Sequence, residues 1–249
     1  MAPGEESGTL SVVAPRAVPS PARNHTEPFP LLYRLLKSGC ARLLRSHFAY
    51  RISGLERLPT SGPFILAANH HNYLDGVVLG AAVPRPISFL VMPRVFRASP
   101  LHPHFHRSIG SIPINLQRPD PGAIKRVLGA LERGRIIGIF PEGPFSREGR
   151  LVPGQPGVAL FALHSGVPVV PAAIHGTFDA LRGRRFYVPR KHPLSVRFGA
   201  PMHFGWSRHR RVTRGERDEV TRRIMGEIAA LLATLREPAL AAPGRAGAS

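Results

Sequence analysis

Apolar and polar positions along this 249-residue chain alternate between two kinds of run. Short, nearly continuous apolar runs end in turn residues. Phe64–Ala68, Ile136–Phe140 and Val169–Ile174 are the clearest, and they read as strands buried on both faces. Tyr50–Ser53, Ile87–Met92, Ser111–Asn115 and Ser195–Phe198 are the other strand candidates. Between them lie Tyr73–Ala82, Pro121–Arg133 and Gly157–Ser165, which have helical spacing and length. This alternation predicts an α/β fold, a mixed sheet covered by helices. Two longer helices flank it. In Leu31–Phe48 the residues Leu31, Leu32, Leu35, Leu36, Cys40, Leu43 and Leu44 form a broad apolar arc on a helical projection. Arg34, Lys37, Ser38, Arg42 and Arg45 gather opposite. Near the other end, Glu216–Arg236 places Val220, Ile224, Ile228, Leu231, Leu232 and Leu235 at packing positions.

Composition sets the limits of this domain. Residues 1–28 are rich in Pro, Ala, Ser and Glu, and 237–249 in Pro, Ala and Gly; both read as disordered. That leaves one domain over 29–236 with no internal repeat, and its 43% hydrophobic content is ample for a core. The net charge of +19 favours anionic partners: nucleic acid, an anionic membrane surface, or acidic acyl carriers. With no acidic residue between Glu27 and Glu56, the 29–48 helix has the pattern of a membrane-interface helix. A helix that packs its leucines on the domain would look the same. The nearest approach to a spanning segment, Val158–Ile174, is broken by His164, Ser165 and two prolines. The N-terminus lacks the charged start and apolar core of a secretory signal. The lone Cys40 rules out an internal disulfide and fits a reducing compartment. These features point to a peripheral protein on the cytoplasmic face of a membrane.

Two strand ends carry the candidate chemistry. Ala67-Ala68-Asn69-His70-His71-Asn72-Tyr73-Leu74-Asp75-Gly76 delivers a histidine and an aspartate together, as a general base and its orienting carboxylate require. Five residues of regular helix turn through about 500°. His70 and Asp75 therefore need a loop or tight turn between them, and Asn72 suits one. His71 competes for the base role but breaks the spacing. Farther on, Ile136-Ile137-Gly138-Ile139-Phe140-Pro141-Glu142-Gly143 again ends an apolar strand in a turn bearing a carboxylate.

These stretches resemble the glycerolipid acyltransferase family, which includes the 1-acylglycerol-3-phosphate acyltransferases. Asn69, His70 and Asp75 match its first motif, Asn-His-x4-Asp. Phe140-Pro141-Glu142-Gly143 matches the opening of the third. Val167-Pro168-Val169-Val170-Pro171-Ala172-Ala173-Ile174 fits the double-proline fourth, and Gly110-Ser111-Ile112-Pro113-Ile114-Asn115 is an altered second. The resemblance covers roughly residues 45–205, a whole domain. It implies a fatty acyl transfer from acyl-CoA or acyl carrier protein, as substrate, to a lysophospholipid hydroxyl. The foremost acceptor is 1-acyl-sn-glycerol-3-phosphate, in phospholipid biosynthesis, with no cofactor. It also implies His70 as base, Asp75 as its orienter, and substrate contacts from Asn69, Asn115, Glu142, Gly143, Ser146 and Pro171.

The second motif of the family usually ends in an acidic residue and an arginine; Asn115 and Leu116 stand there. The third usually continues Gly-Thr-Arg-Ser; here it reads Gly143-Pro144-Phe145-Ser146. Both arginines that look like phosphate ligands in the family are therefore displaced. Arg118 and Arg147, each two residues on, are the candidates to replace them. Other readings stay open: the same catalyst acting on a non-phosphorylated lipid or sugar, or a non-catalytic binder of anionic lipid or nucleic acid. One Trp and four Tyr leave few stacking groups, so no nucleic-acid partner is expected. His102, His104 and His106 suggest a metal, but no Cys or carboxylate is near and Pro103 disturbs the spacing. The segment reads as a basic solvated loop, and no metal is expected.

Overall fold

The computed structural model describes residues 31–97, 100, 102–115, 120–144, 146, 148–182, 188–205 and 212–236, without the side chains of 31–33, 36 and 105. The terminal segments expected to be disordered lie outside the described residues. Seven strands form one sheet: β1 (Arg51–Ser53), β2 (Phe64–Ala68), β3 (Ile87–Val91), β4 (Ile112–Pro113), β5 (Ile136–Ile139), β6 (Val169–His175) and β7 (Ser195–Phe198). Their order is β1-β7-β6-β2-β5-β3-β4. All pairs are parallel except β6 with β7, so the sheet is mixed, as expected.

The apolar runs become strands because both faces of the sheet are covered. Phe64, Leu66 and Ala68 of β2 enter one core with Val170, Ala172 and Ile174 of β6. Helices α1 (Leu31–His47) and α2 (Leu74–Ala82) close that face through Leu44, Leu74, Val78 and Leu79. Ile65 and Ala67 point into a second core. There α5 (Pro121–Glu132), α6 (Gly157–Ser165) and α8 (Arg214–Arg236) pack Val127, Phe161, Ile224 and Ile228. Alternation along β2 thus feeds two cores in turn.

Helix α1 packs on the domain and keeps an exposed apolar and basic face. Leu44 is buried and Lys37 Nζ donates to Val83 and Pro84 carbonyls beyond the end of α2, which docks the helix. Leu35 and Leu43 remain 62% and 58% exposed, flanked by exposed Arg34, Arg42 and Arg45.

Two sequence expectations need correction. The fourth strand is only Ile112–Pro113, because Asp120 accepts the Asn115 N–H at 3.2 Å and the Ala123 N–H at 2.8 Å and turns the chain into α5. The histidine-rich segment is no solvated loop. It forms α4 (His102–Ser108) after α3 (Pro93–Phe96), and His106 is buried against the Phe96 ring at 5.2 Å with Nδ1 3.2 Å from Ser111 Oγ. Among the described residues no group of three or more His, Cys, Asp or Glu is placed to hold a metal.

Candidate active site

The five parallel strands β6, β2, β5, β3 and β4 deliver their carboxyl ends to one edge, where open α/β sheets present their ligands. His70 leaves β2 there and Phe140 leaves β5. Asn69, the residue between β2 and His70, is fully buried. Its amide nitrogen donates to the Ile174 carbonyl at 2.9 Å and its oxygen accepts the Ile174 N–H at 2.7 Å. This side chain extends the β2–β6 pairing, so the expectation of substrate contact gives way to a structural role. Pro171 is a buried interior residue of β6, paired with Ala67.

The predicted turn between His70 and Asp75 is present. Asp75 sits in the first turn of α2, fully buried. Its Oδ2 lies 2.9 Å from His70 Nδ1 and accepts the His71 and Asn72 backbone N–H groups at 2.6 and 2.8 Å. Asn72 Oδ1 accepts the Leu74 N–H, and its amide donates to the Thr177 carbonyl at the start of the short helix Thr177–Leu181 that follows β6. With Nδ1 directed at a carboxylate, that nitrogen carries the ring proton and Nε2 the lone pair.

The loop after β5 clamps His70 by its backbone. Glu142 Oε1 accepts the His70 N–H at 2.7 Å, and the Ser146 N–H donates to the His70 carbonyl at 2.9 Å. Glu142 Oε2 accepts the Val152 N–H at 2.9 Å. The carboxyl is 3% exposed, and burial raises its pKa against the pull of its two amide donors. The resemblance implies a substrate contact from Glu142; in the structure its oxygens hold the protein's own amides. Gly143 makes the turn possible with φ 81°, and a Cβ there would come within 2.5 Å of Gln155 Nε2. Ser146 is also buried. Asn115 lies beyond β4 on the same sheet edge. Leu116, Arg118, Phe145 and Arg147 lie outside the described residues.

His71 points away from solvent. It is 6% exposed, edge-on to Phe178 at 6.0 Å, and neither ring nitrogen has a hydrogen-bond partner among the described residues. Burial chiefly lowers its pKa, with Asp75 opposing and His70, Arg236 and His175 adding to the depression. Burial also leads the lowering at His106 and His175. These depressed imidazoles protonate more readily in the unfolded chain, so stability is present above about pH 6.5 and falls as pH drops below it. Glu142 works in the opposite sense above pH 4.5, because it takes up its proton more readily when folded. The melting temperature should fall from pH 7.5 to 5.5, and His71→Asn should flatten the slope. An unchanged slope in that variant would remove His71 from the effect.

A family model described as "Acyltransferase" matches residues 49–175, just over half of the chain, including both strand-end motifs. The 1-acyl-sn-glycerol-3-phosphate acyltransferase of Bacillus subtilis (strain 168) is 26% identical over 69% of this chain and 83% of that protein. The chloroplastic 1-acyl-sn-glycerol-3-phosphate acyltransferase BAT2 of Brassica napus is 34% identical over 51% of this chain and 37% of that protein. The lyso-ornithine lipid O-acyltransferase of Pseudomonas aeruginosa is 35% identical over 58% of this chain and 55% of that protein. The crystal structure of the acyltransferase PlsC from Thermotoga maritima superimposes with a TM-score of 0.66, covering 83% of this chain and 81% of that one at 17% identity. That likeness supports the fold described above. With a histidine and aspartate paired at the sheet edge and the family model spanning the strands that place them, this chain belongs to the acyltransferase family.

Proposed function

We propose that this enzyme moves a fatty acyl group from acyl-CoA or acyl carrier protein to the hydroxyl of a lysolipid, foremost 1-acyl-sn-glycerol-3-phosphate. The observation that carries the reading is the His70–Asp75 pair, 2.9 Å apart and held at the sheet edge. The names of the Bacillus and Brassica relatives support the acceptor class. His70 Nε2 takes the acceptor's proton as its oxygen attacks the thioester carbonyl carbon. The tetrahedral intermediate collapses, the C–S bond breaks, and the thiolate receives the proton from the imidazolium. Asp75 keeps its negative charge and holds the tautomer throughout. No covalent enzyme intermediate and no cofactor are needed. Release of free thiol from acyl-CoA and from acyl carrier protein in the presence of a panel of lysolipids tests this; no thiol release from either donor with any lysolipid would overturn it.

A second acceptor class has support in Leu116 and Phe145, which stand where the family's arginines are expected, and in the similarity to a lyso-ornithine lipid O-acyltransferase. Each lost charge-assisted bond to a phosphate removes about 1.5–3 kcal/mol. Lysophosphatidic acid should therefore be preferred over neutral monoacylglycerol by little in kcat/KM. A strong preference, abolished by Arg118→Ala or Arg147→Ala, would mean that the displaced arginines rebuild the phosphate site.

The enzyme meets its lipid as a peripheral protein on the cytoplasmic face. No helix among the described residues is long and apolar enough to cross a membrane. The exposed Leu35 and Leu43 with Arg34, Arg42 and Arg45 form an apolar and basic face suited to anionic headgroups. Deleting α1 would also remove Leu44 from the core, so point changes are the cleaner probe. Leu35→Glu with Leu43→Glu should reduce sedimentation with anionic vesicles while leaving the fold intact, and salt should weaken wild-type binding. Undiminished binding by the double variant would restrict α1 to packing.

A further inference from the structure

The loop after β5 does more than hold the backbone of His70. The Phe140 ring lies flat against the His70 imidazole, with centroids 3.9 Å apart and planes inclined by 9°. Phe89 of β3 lies parallel beyond Phe140, at 6.0 Å and 7°. The planes of the three rings are thus nearly parallel. The outermost is anchored through strand register, because Phe89 pairs with Gly138 of β5. A Cβ at Gly138 would approach Phe89 Cδ1 and Ile87 Cγ2 to 2.6 Å, so the missing side chain is what lets Phe89 sit there.

The contact with Asp75 holds one nitrogen of the imidazole but leaves the tilt of the ring plane to the torsions about Cα–Cβ and Cβ–Cγ. Such rotation would swing Nε2 away from a bound hydroxyl. A flat ring against the imidazole face removes that freedom. The Phe face also carries the negative side of its quadrupole, so its attraction for the imidazole grows as positive charge develops in the transition state. Both effects act on turnover and not on ground-state binding.

We propose that Phe140 is a positioning residue that fixes the plane of the His70 ring, with Phe89 as its backing. This rests on the reading of His70 as the base. The test compares Phe140→Leu, Phe140→Tyr and His70→Ala by kcat, KM for donor and acceptor, melting temperature and the proton NMR signals of the His70 imidazole. Phe140→Leu should lower kcat about three- to tenfold with little change in either KM. Tyr, which keeps the flat ring, should restore most of it. The His70 ring-proton signals should shift in the Leu variant, which lacks the ring current, and stay close to wild type in the Tyr variant. Should Phe140→Leu fold poorly, Phe140→Met fills similar space without a ring and takes its place with the same expectation. Normal kcat in the ringless variant, or a loss confined to acceptor KM, overturns the proposal while an inactive His70→Ala keeps the base reading. Near-normal turnover in His70→Ala overturns both.

Discussion

Replacing His70 by alanine should lower turnover by about 10²–10⁴, the usual contribution of a positioned general base. The acceptor hydroxyl has a pKa far above 7, so without a base it attacks the thioester as a neutral alcohol. The fold should survive, because the ring is partly exposed at the sheet edge while the neighbouring Asn69 carries the strand pairing. Asp75→Asn should cost nearly as much by a different route. Its Oδ2 accepts three donors, and an amide placed there can turn an N–H toward His70 Nδ1 and select the wrong tautomer. The measurements are single-turnover acyl transfer and thermal melting on each variant. Near-normal turnover in His70→Ala would end the base assignment.

The second large effect is expected at Glu142. Glu142→Gln changes one atom, yet it puts an amide N–H against one of two backbone donors, His70 N–H or Val152 N–H. An unpartnered buried amide costs about 1–3 kcal/mol. The same change lets His70 drift, and a shift of about 1 Å can cost about 10²-fold in rate. Glu142→Gln should therefore lower both the melting temperature and kcat, and leave acceptor KM nearly unchanged. A carboxylate that bound the acceptor's hydroxyls would give the reverse, a rise in acceptor KM with unchanged stability. Those paired measurements decide between the two roles.

Much of the fold could be read from the sequence because the signals are local. The runs Phe64–Ala68, Ile136–Phe140 and Val169–Ile174 are almost wholly apolar because alternate residues enter different cores. The His70–Asp75 pairing was legible for the same reason: both residues lie on one turn, five positions apart. What escaped is set by contacts between distant segments. The short helices Pro93–Phe96, His102–Ser108 and Thr177–Leu181 have little intrinsic helical signal. His106 is buried by stacking on Phe96, which no spacing rule announces. A proline after the extended Met92 was the one readable hint, since proline at a first helical position is pre-organised for the helix. Asn69 and Glu142 matched motif positions, but the Ile174 partner of Asn69 lies 105 residues away and the His70 partner of Glu142 lies 72 away. A motif marks such residues without saying whether they meet a substrate or the chain itself.

Strand β2 sits at the centre of the sheet, between β5 and β6. On a ribosome adding about 5–20 residues per second, Phe64–Ala68 emerges several seconds before either neighbour exists. Its backbone groups and both apolar faces wait meanwhile for partners as late as Ile174. The covering helix α8 comes later still, near the end of the domain. The His70–Asp75 turn is therefore encoded early, while the segments that clamp it from β5 and β6 arrive late. A nascent chain of this enzyme carries an aggregation-prone central strand for most of its synthesis, and its yield in a cell should depend on chaperones that bind extended apolar segments.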